Sequence, residues 1–244
     1  KILFNISKEQ AAKPLFADTD CLYILYELII KFPEPKIGVE LAALTLNLTT
    51  YNKNCEILAV EERIKSLMER AFIHYDFYLI RIVKNIIKYS EVDELNDMFE
   101  SFIDKFMETL QTKKGSEEFA SELIEILSSI ETDWENKLDK FGLIEFIECH
   151  LESCAKNQET LLKLILFIGN IAGSSKCASS VANSRIINLM FKRLNENLGN
   201  SSIVFSIIYS LYRFLAWEDT RKSILSMEKL LSLILKLVKS SNNR

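Results

Sequence analysis

The chain repeats itself about every forty residues, and that period restricts its fold more than any other property of the sequence. The runs LFNI (3–6), TLNL (45–48), VKNI (83–86) and IGNI (168–171) each place an Asn between apolar residues. LSSI (127–130) and LYRF (211–214) fit the same frame, with Ser129 and Arg213 in the Asn position. The register positions are therefore 5, 47, 85, 129, 170 and 213, separated by 42, 38, 44, 41 and 43 residues. A second set interleaves with the first. Leu22, Ile64, Ile103, Leu143, Ile186 and Leu230 each open an apolar pattern of helical spacing, at intervals of 42, 39, 40, 43 and 44 residues. Apolar residues follow at plus three and plus eight in every copy but the third, where Ile103 and Phe106 are followed by Gln111.

Two patterns with one period mark a unit that cannot bury its apolar face alone and must stack on its neighbours. A period of roughly forty to forty-seven residues with two or three helices belongs to armadillo and HEAT repeats. Armadillo is favoured, because a short polar element such as Asn52–Val60 precedes each leading helix. In KFGLIEFIE, Gly142 precedes an apolar run, as at the opening of an armadillo second helix. Trp134 is expected on the short helix, anchoring it by core packing. The expected fold is all-α: a right-handed armadillo superhelix of about six partial or complete repeats. It forms one domain over 1–244, the C-terminal part of a longer protein. The repeats are approximately 1–14 (the end of one), 15–54, 55–90, 91–132, 133–176, 177–222 and an incomplete 223–244.

Composition agrees. The 244 residues are 48% hydrophobic, enough for a sizeable core, and hold only 6 Gly and 3 Pro, few for a turn-rich sheet protein. Apolar runs are short and broken by charges, so no membrane insertion is expected. Five cysteines without a framework spacing are expected to be reduced thiols in an intracellular protein. The N-x-S/T sequons at Asn5, Asn47 and Asn200 read as chance matches. Net charge is −4 but uneven: −11 over 91–135 and +8 over 156–244. Most of these charges read as solvated helix faces, and the asymmetry suggests electrostatic selectivity.

No residue pattern supports an enzyme. Cys149-His150-x3-Cys154 has no common zinc spacing, and His150 reads as structural. There is no Gly-rich phosphate loop, nucleophile elbow or HExxH, so no catalytic, metal or cofactor-binding residue is assigned, and no cofactor.

In an armadillo stack the third helices line the groove that takes a partner. Helical spacing places Asn47 and Tyr51 there, with Glu40 and Ala43; then Arg81, Lys84, Asn85 and Lys88; then Lys163, Phe167 and Asn170; then Tyr209, Arg213 and Trp217. Each Asn amide could pair with a bound chain or bond neighbouring helices within the stack. The cations favour acidic protein partners, and nucleic acid is not expected. Receptors of the importin-alpha type carry a Trp four residues before the groove Asn; here those positions are Lys1, Ala43, Arg81, Glu125, Leu166 and Tyr209. Arg81, Lys84 and Lys88 would also repel a basic signal peptide.

Particular residues resemble a known family. Phe16-Ala17-Asp18-Thr19-Asp20-Cys21, Glu40-Leu41, Asn47-Leu48 and Asn52-Lys53-Asn54 are similar to the kinesin-associated proteins, the accessory non-motor subunits of heterotrimeric kinesin-2. LMERAF (67–72), RIVKNI (81–86), DWENKLDKFGLIEFIECHLE (133–152) and SIIYSLYRFLAWEDTRKSI (206–224) continue the likeness in order. Segment 89–120 departs from it. The resemblance implies a non-enzymatic scaffold joining kinesin-2 motor-chain tails to cargo adaptors in microtubule-based and intraflagellar transport. It would be cytoplasmic and associated with microtubules or the cilium. The alternative is an armadillo scaffold of junctional or signalling assemblies, unrelated to kinesin.

Overall fold

The computed structural model of the protein describes residues 2–90, 95–130, 132–154 and 157–227, with 230, 232, 233 and 235. The described residues contain helices and no strand. The chain falls into two compact units, Lys1–Ile126 and Leu127–Arg244. The first holds α1 (Ile2–Lys8), a 3-10 turn (Gln10–Ala12), α2 (Lys13–Ala17), α3 (Cys21–Ile30), α4 (Val39–Leu48), α5 (Asn52–Leu58), α6 (Glu61–His74), α7 (Phe77–Tyr89), α8 (Leu95–Gln111) and α9 (Glu117–Leu127), whose last residue opens the second unit. The second holds α10 (Glu135–Lys140), α11 (Leu143–Ser153), α12 (Gln158–Ile171), α13 (Ser175–Ala182), α14 (Ile186–Glu196), α15 (Ser201–Leu215) and α16 (Glu218–Leu225).

Within each unit, helices pack on their counterparts one repeat away. In the first unit α1 meets α4 and α4 meets α7, α2 meets α5, and α3 meets α6. In the second α12 meets α15, α11 meets α14, and α10 meets α13, which meets α16. A core built from like elements in succession is the stacked-repeat architecture that the period demands. The leading residues Leu22, Ile64, Ile103, Leu143, Ile186 and Leu230 are all buried. Trp134 is the N-cap residue of the short helix α10 and is buried, its ring edge-to-face with Phe167 at 5.1 Å.

The irregular third copy has a physical reason. Its leading helix α8 is 17 residues long and buries Phe99, Phe102, Ile103, Phe106, Met107 and Leu110. Leu110 takes the burial that the frame would assign to Gln111, which is exposed. Phe72 of α6 stacks on Phe106 at 5.6 Å and meets Phe119 of α9 edge-to-face at 5.7 Å. The short helix expected before this copy falls partly on 91–94, outside the described residues, as does most of 228–244.

Side chains close the helix ends. Asp76 caps α7 by accepting from Tyr78 N, while its other oxygen accepts from Ile37 N and ties the loop before α4 to α7. Asn157, Ser174 and Asn200 cap α12, α13 and α15 in the same way. Two arginines in equivalent places serve C-termini. Arg70 of α6 donates to the Ile30, Phe32 and Glu34 carbonyls at the end of α3. Arg193 of α14 donates to the Leu151 and Glu152 carbonyls at the end of α11. Each stitches a second helix to the one before it, satisfying carbonyls that have no partner within the helix.

A candidate partner-binding face

The register asparagines bond within the stack. Asn47 Nδ2 donates to Ser7 Oγ at 3.1 Å, and Asn85 Nδ2 donates to Thr49 Oγ1 at 3.3 Å. Ser7 and Thr49 each stand two places after the preceding register position, so the same contact recurs one repeat on. In the second unit Asn170 Nδ2 donates to the Leu127 and Ile130 carbonyls at 3.3 and 2.9 Å. Trp217 makes a similar tie, its indole N–H donating to the Ala172 carbonyl at 2.9 Å. These amides hold helix to helix: Asn170 uses both of its N–H donors, and Asn47 and Asn85 one each. Tyr51 is half-buried and precedes α5 as its N-cap residue.

In the first unit the groove cations meet acids of the next repeat. Arg81 donates through Nε and Nη2 to one oxygen of Glu122, at 3.1 and 2.7 Å. Lys84 donates to the other oxygen at 2.5 Å and to Glu125 at 2.8 Å. The Glu122 side chain is only 1% exposed, so its charge depends on these two cations. The expectation that Arg81 and Lys84 present free positive charge to an acidic partner is corrected here: two carboxylates from α9 neutralise them. Lys88 is exposed and lies over the Tyr89 ring at 5.3 Å.

In the second unit Phe167 belongs to the core. It is 0% exposed and packs on Trp134, so its assignment to an open groove is also corrected: its position turns inward between α10 and α12. Lys163 is buried and pairs with Glu159 at 2.8 Å. The α15 surface is different. Phe205, Tyr209 and Tyr212 are 69%, 43% and 69% exposed and follow one helix face at i, i+4 and i+7, with Phe205 and Tyr209 rings stacked at 6.4 Å. Leu166 of α12 is also exposed. Arg213 follows Tyr209 by one turn and lines a cleft of about 290 Å³ with Thr132, Asp133, Trp134, Asn170, Gly173 and Ser174.

Sequence reasoning named Tyr209 and Arg213 but not Phe205 and Tyr212, nor Glu122 and Glu125. A signal was present for each. FSIIYSLYRF carries more large apolar residues than one buried face can use. Glu125 lies 41 residues after Lys84, one repeat on. Burial raises the Cys55 thiol to about 12, and its Sγ–H donates to the Thr49 carbonyl. His150 Nδ1 lies 2.8 Å from the Phe146 carbonyl. Among the described residues no group of three or more His, Cys, Asp or Glu could hold a metal ion, and no helix is long and apolar enough to cross a membrane.

Two solved structures share this architecture. An engineered protein from the Northeast Structural Genomics Consortium superposes with a TM-score of 0.69 at 17% identity, over 88% of this chain and 90% of its own. A designed armadillo repeat protein in complex with the peptide (KR)4 gives 0.57 at 16% identity, over 87% and 90%. At such identities the likeness concerns the fold, which is armadillo. The sequence carries a finer relation: the family model for kinesin-associated protein matches residues 1–244 without interruption. The chain, matched over all of its 244 residues, belongs to the kinesin-associated protein (KAP) family.

Proposed function

We propose that this chain is a non-enzymatic adaptor that holds the tails of kinesin-2 motor chains, and links them to cargo adaptors, in microtubule-based and intraflagellar transport. Its place would be the cytoplasm, at microtubules and cilia. Membership of the family supports the motor connection. The observation that carries a binding role is the exposed aromatic row Phe205, Tyr209 and Tyr212 on α15. Large aromatics exposed together on a rigid helix are the side chains that anchor protein interfaces. The designed armadillo protein bound to a peptide shows that such a fold serves as a peptide receptor, in that case for a basic chain.

The groove reading keeps Asn47, Tyr51, Asn85 and Lys88 as residues of a face on the first unit, and Asn170, Tyr209, Arg213 and Trp217 as residues of a face on the second, with the amides and Trp217 as framework. Arg81 and Lys84 in the first and Lys163 in the second act as paired charges. The test is capture of kinesin-2 motor tails by the wild-type chain and by a Tyr209→Ala/Tyr212→Ala variant. Exposed positions leave the helical CD signal and melting unchanged. Tail binding weakened about tenfold or more supports the reading, since an interface aromatic contributes about 2 kcal/mol or more. Tails that never bind, with junctional or signalling proteins recovered instead, would sink it.

A further inference from the structure

Of the two cations carried by α12 and α15, Lys163 is paired with Glu159, whereas Arg213 has no hydrogen bond or ion pair through its guanidinium among the described residues. It is half-buried, so it has lost part of its hydration without gaining a partner. The space for it is built in. A Cβ on Gly173 would lie 3.3 Å from Nη2 and 3.1 Å from the Asn170 carbonyl, so a side chain there would crowd the guanidinium. Trp134 lines the same cleft. Trp134 is 4% exposed, and its indole N–H has no hydrogen-bond partner. Asp133 is the acid on the wall, and both its oxygens are used, accepting from Glu135 N and Asn136 Nδ2. The cleft therefore holds one cation without a side-chain partner among the described residues, Arg213, and one carboxylate, Asp133, whose oxygens are already bonded to neutral donors.

We infer that the Arg213–Trp134 cleft receives the carboxylate of an Asp or Glu in a partner segment whose flanking apolar side chains lie on Phe205, Tyr209 and Tyr212. This rests on the adaptor reading of the α15 face and adds the chemistry that selects the partner. A carboxylate has two oxygens, which suit the guanidinium fork of Arg213. A phosphate dianion would need further cations, and Lys163 is committed elsewhere. The Arg213 charge also disfavours a basic segment.

The test is a random-peptide phage selection on the whole chain, followed by synthetic peptides from the enriched pool. Enriched sequences carry Asp or Glu beside apolar residues and bind the Tyr209→Ala/Tyr212→Ala variant weakly. Replacing that acid by Gln, or using Arg213→Gln protein, lowers affinity about tenfold or more, the size expected for one charge-assisted contact. The two changes made together cost little more than either alone. The Trp134 indole N–H resonance shifts with the acidic peptide and not with its Gln analogue. Peptides that need the tyrosines but show no acid preference and no Arg213 dependence overturn this inference and leave the adaptor face standing. Peptides indifferent to the tyrosines remove the face and the inference together. A phosphoserine peptide that binds more tightly than its Glu counterpart also overturns the carboxylate assignment.

Discussion

An Asn in the middle of an apolar helix is unfavourable alone, because its side chain competes for local backbone groups. Asn47, Asn85 and Asn170 reverse that balance by aiming the amide at the preceding repeat. Sequence spacing located these residues but left open whether they serve the stack or a ligand, since an amide suits both; only the neighbour's position decides. Asn170→Ala removes two hydrogen bonds and strands two carbonyls, so stability falls by about 1–3 kcal/mol, with a smaller loss of about 1 kcal/mol for Asn47→Ala, whose partner is a hydroxyl. Urea unfolding measures both, and equal costs would contradict this assignment of roles. Cys55 gives a prediction in pH. Its thiol stands at about 12 in the folded chain against 9.0 ordinarily, because burial penalises the thiolate. The folded state then holds a proton that the unfolded state releases. Its contribution is whole below the ordinary thiol value and is lost as pH rises through the window up to about 12. Denaturation midpoints across that window fall more steeply for the wild type than for Cys55→Ala; parallel curves would rule the effect out.

Between elements, close approach and paired charge do most of the specifying. α12 and α15 meet at Gly169, where an added Cβ would lie 2.8 Å from Ser210 Oγ and 3.3 Å from Ser210 Cβ. Ser210 Oγ in turn donates to the Ile165 carbonyl at 2.8 Å. Gly169→Ala forces the helices apart or turns Ser210 away, for a loss of about 1–3 kcal/mol by overpacking. Adding Ser210→Gly recovers part of that loss in a double-mutant cycle, whereas simple additivity would show that the contact is not the cause. The Arg81–Lys84–Glu122–Glu125 cluster joins α7 to α9. Glu122→Gln leaves two cations facing a neutral amide at a buried site, with a loss on the order of 3 kcal/mol, while the exposed Lys88→Gln changes little. Thermal melts separate the two. Element positions were legible because apolar periodicity declares them. The charge cluster was legible only through the repeat, because Arg81 and Glu122 lie 41 residues apart, one repeat, and nothing local in either helix names the other.

At the scale of the molecule the repeat made the architecture readable before any single helix was certain. Like elements stack on like, so one frame predicts many contacts at once, including α12 on α15 and α11 on α14. The binding face was readable only in part. Geometry finds the side of a helix, but burial decides which residues on it stay open, and Phe167 lost that status to Trp134 while Phe205 gained it. Charge was the most misleading guide. The formal excess of +8 over 156–244 suggests strongly electrostatic binding, yet of the two groove cations in that segment Lys163 is paired with Glu159 and Arg213 alone has no partner among the described residues. A partner held by three aromatics and one carboxylate contact has little charge to screen. Raising the salt from about 0.1 M to about 1 M, which shortens the screening length from about 10 Å to about 3 Å, weakens such a complex by less than about tenfold. Titration of the chain with a motor tail at both salts measures it. A loss of several orders of magnitude would mean that an extended charged surface, rather than the α15 aromatics, holds the partner.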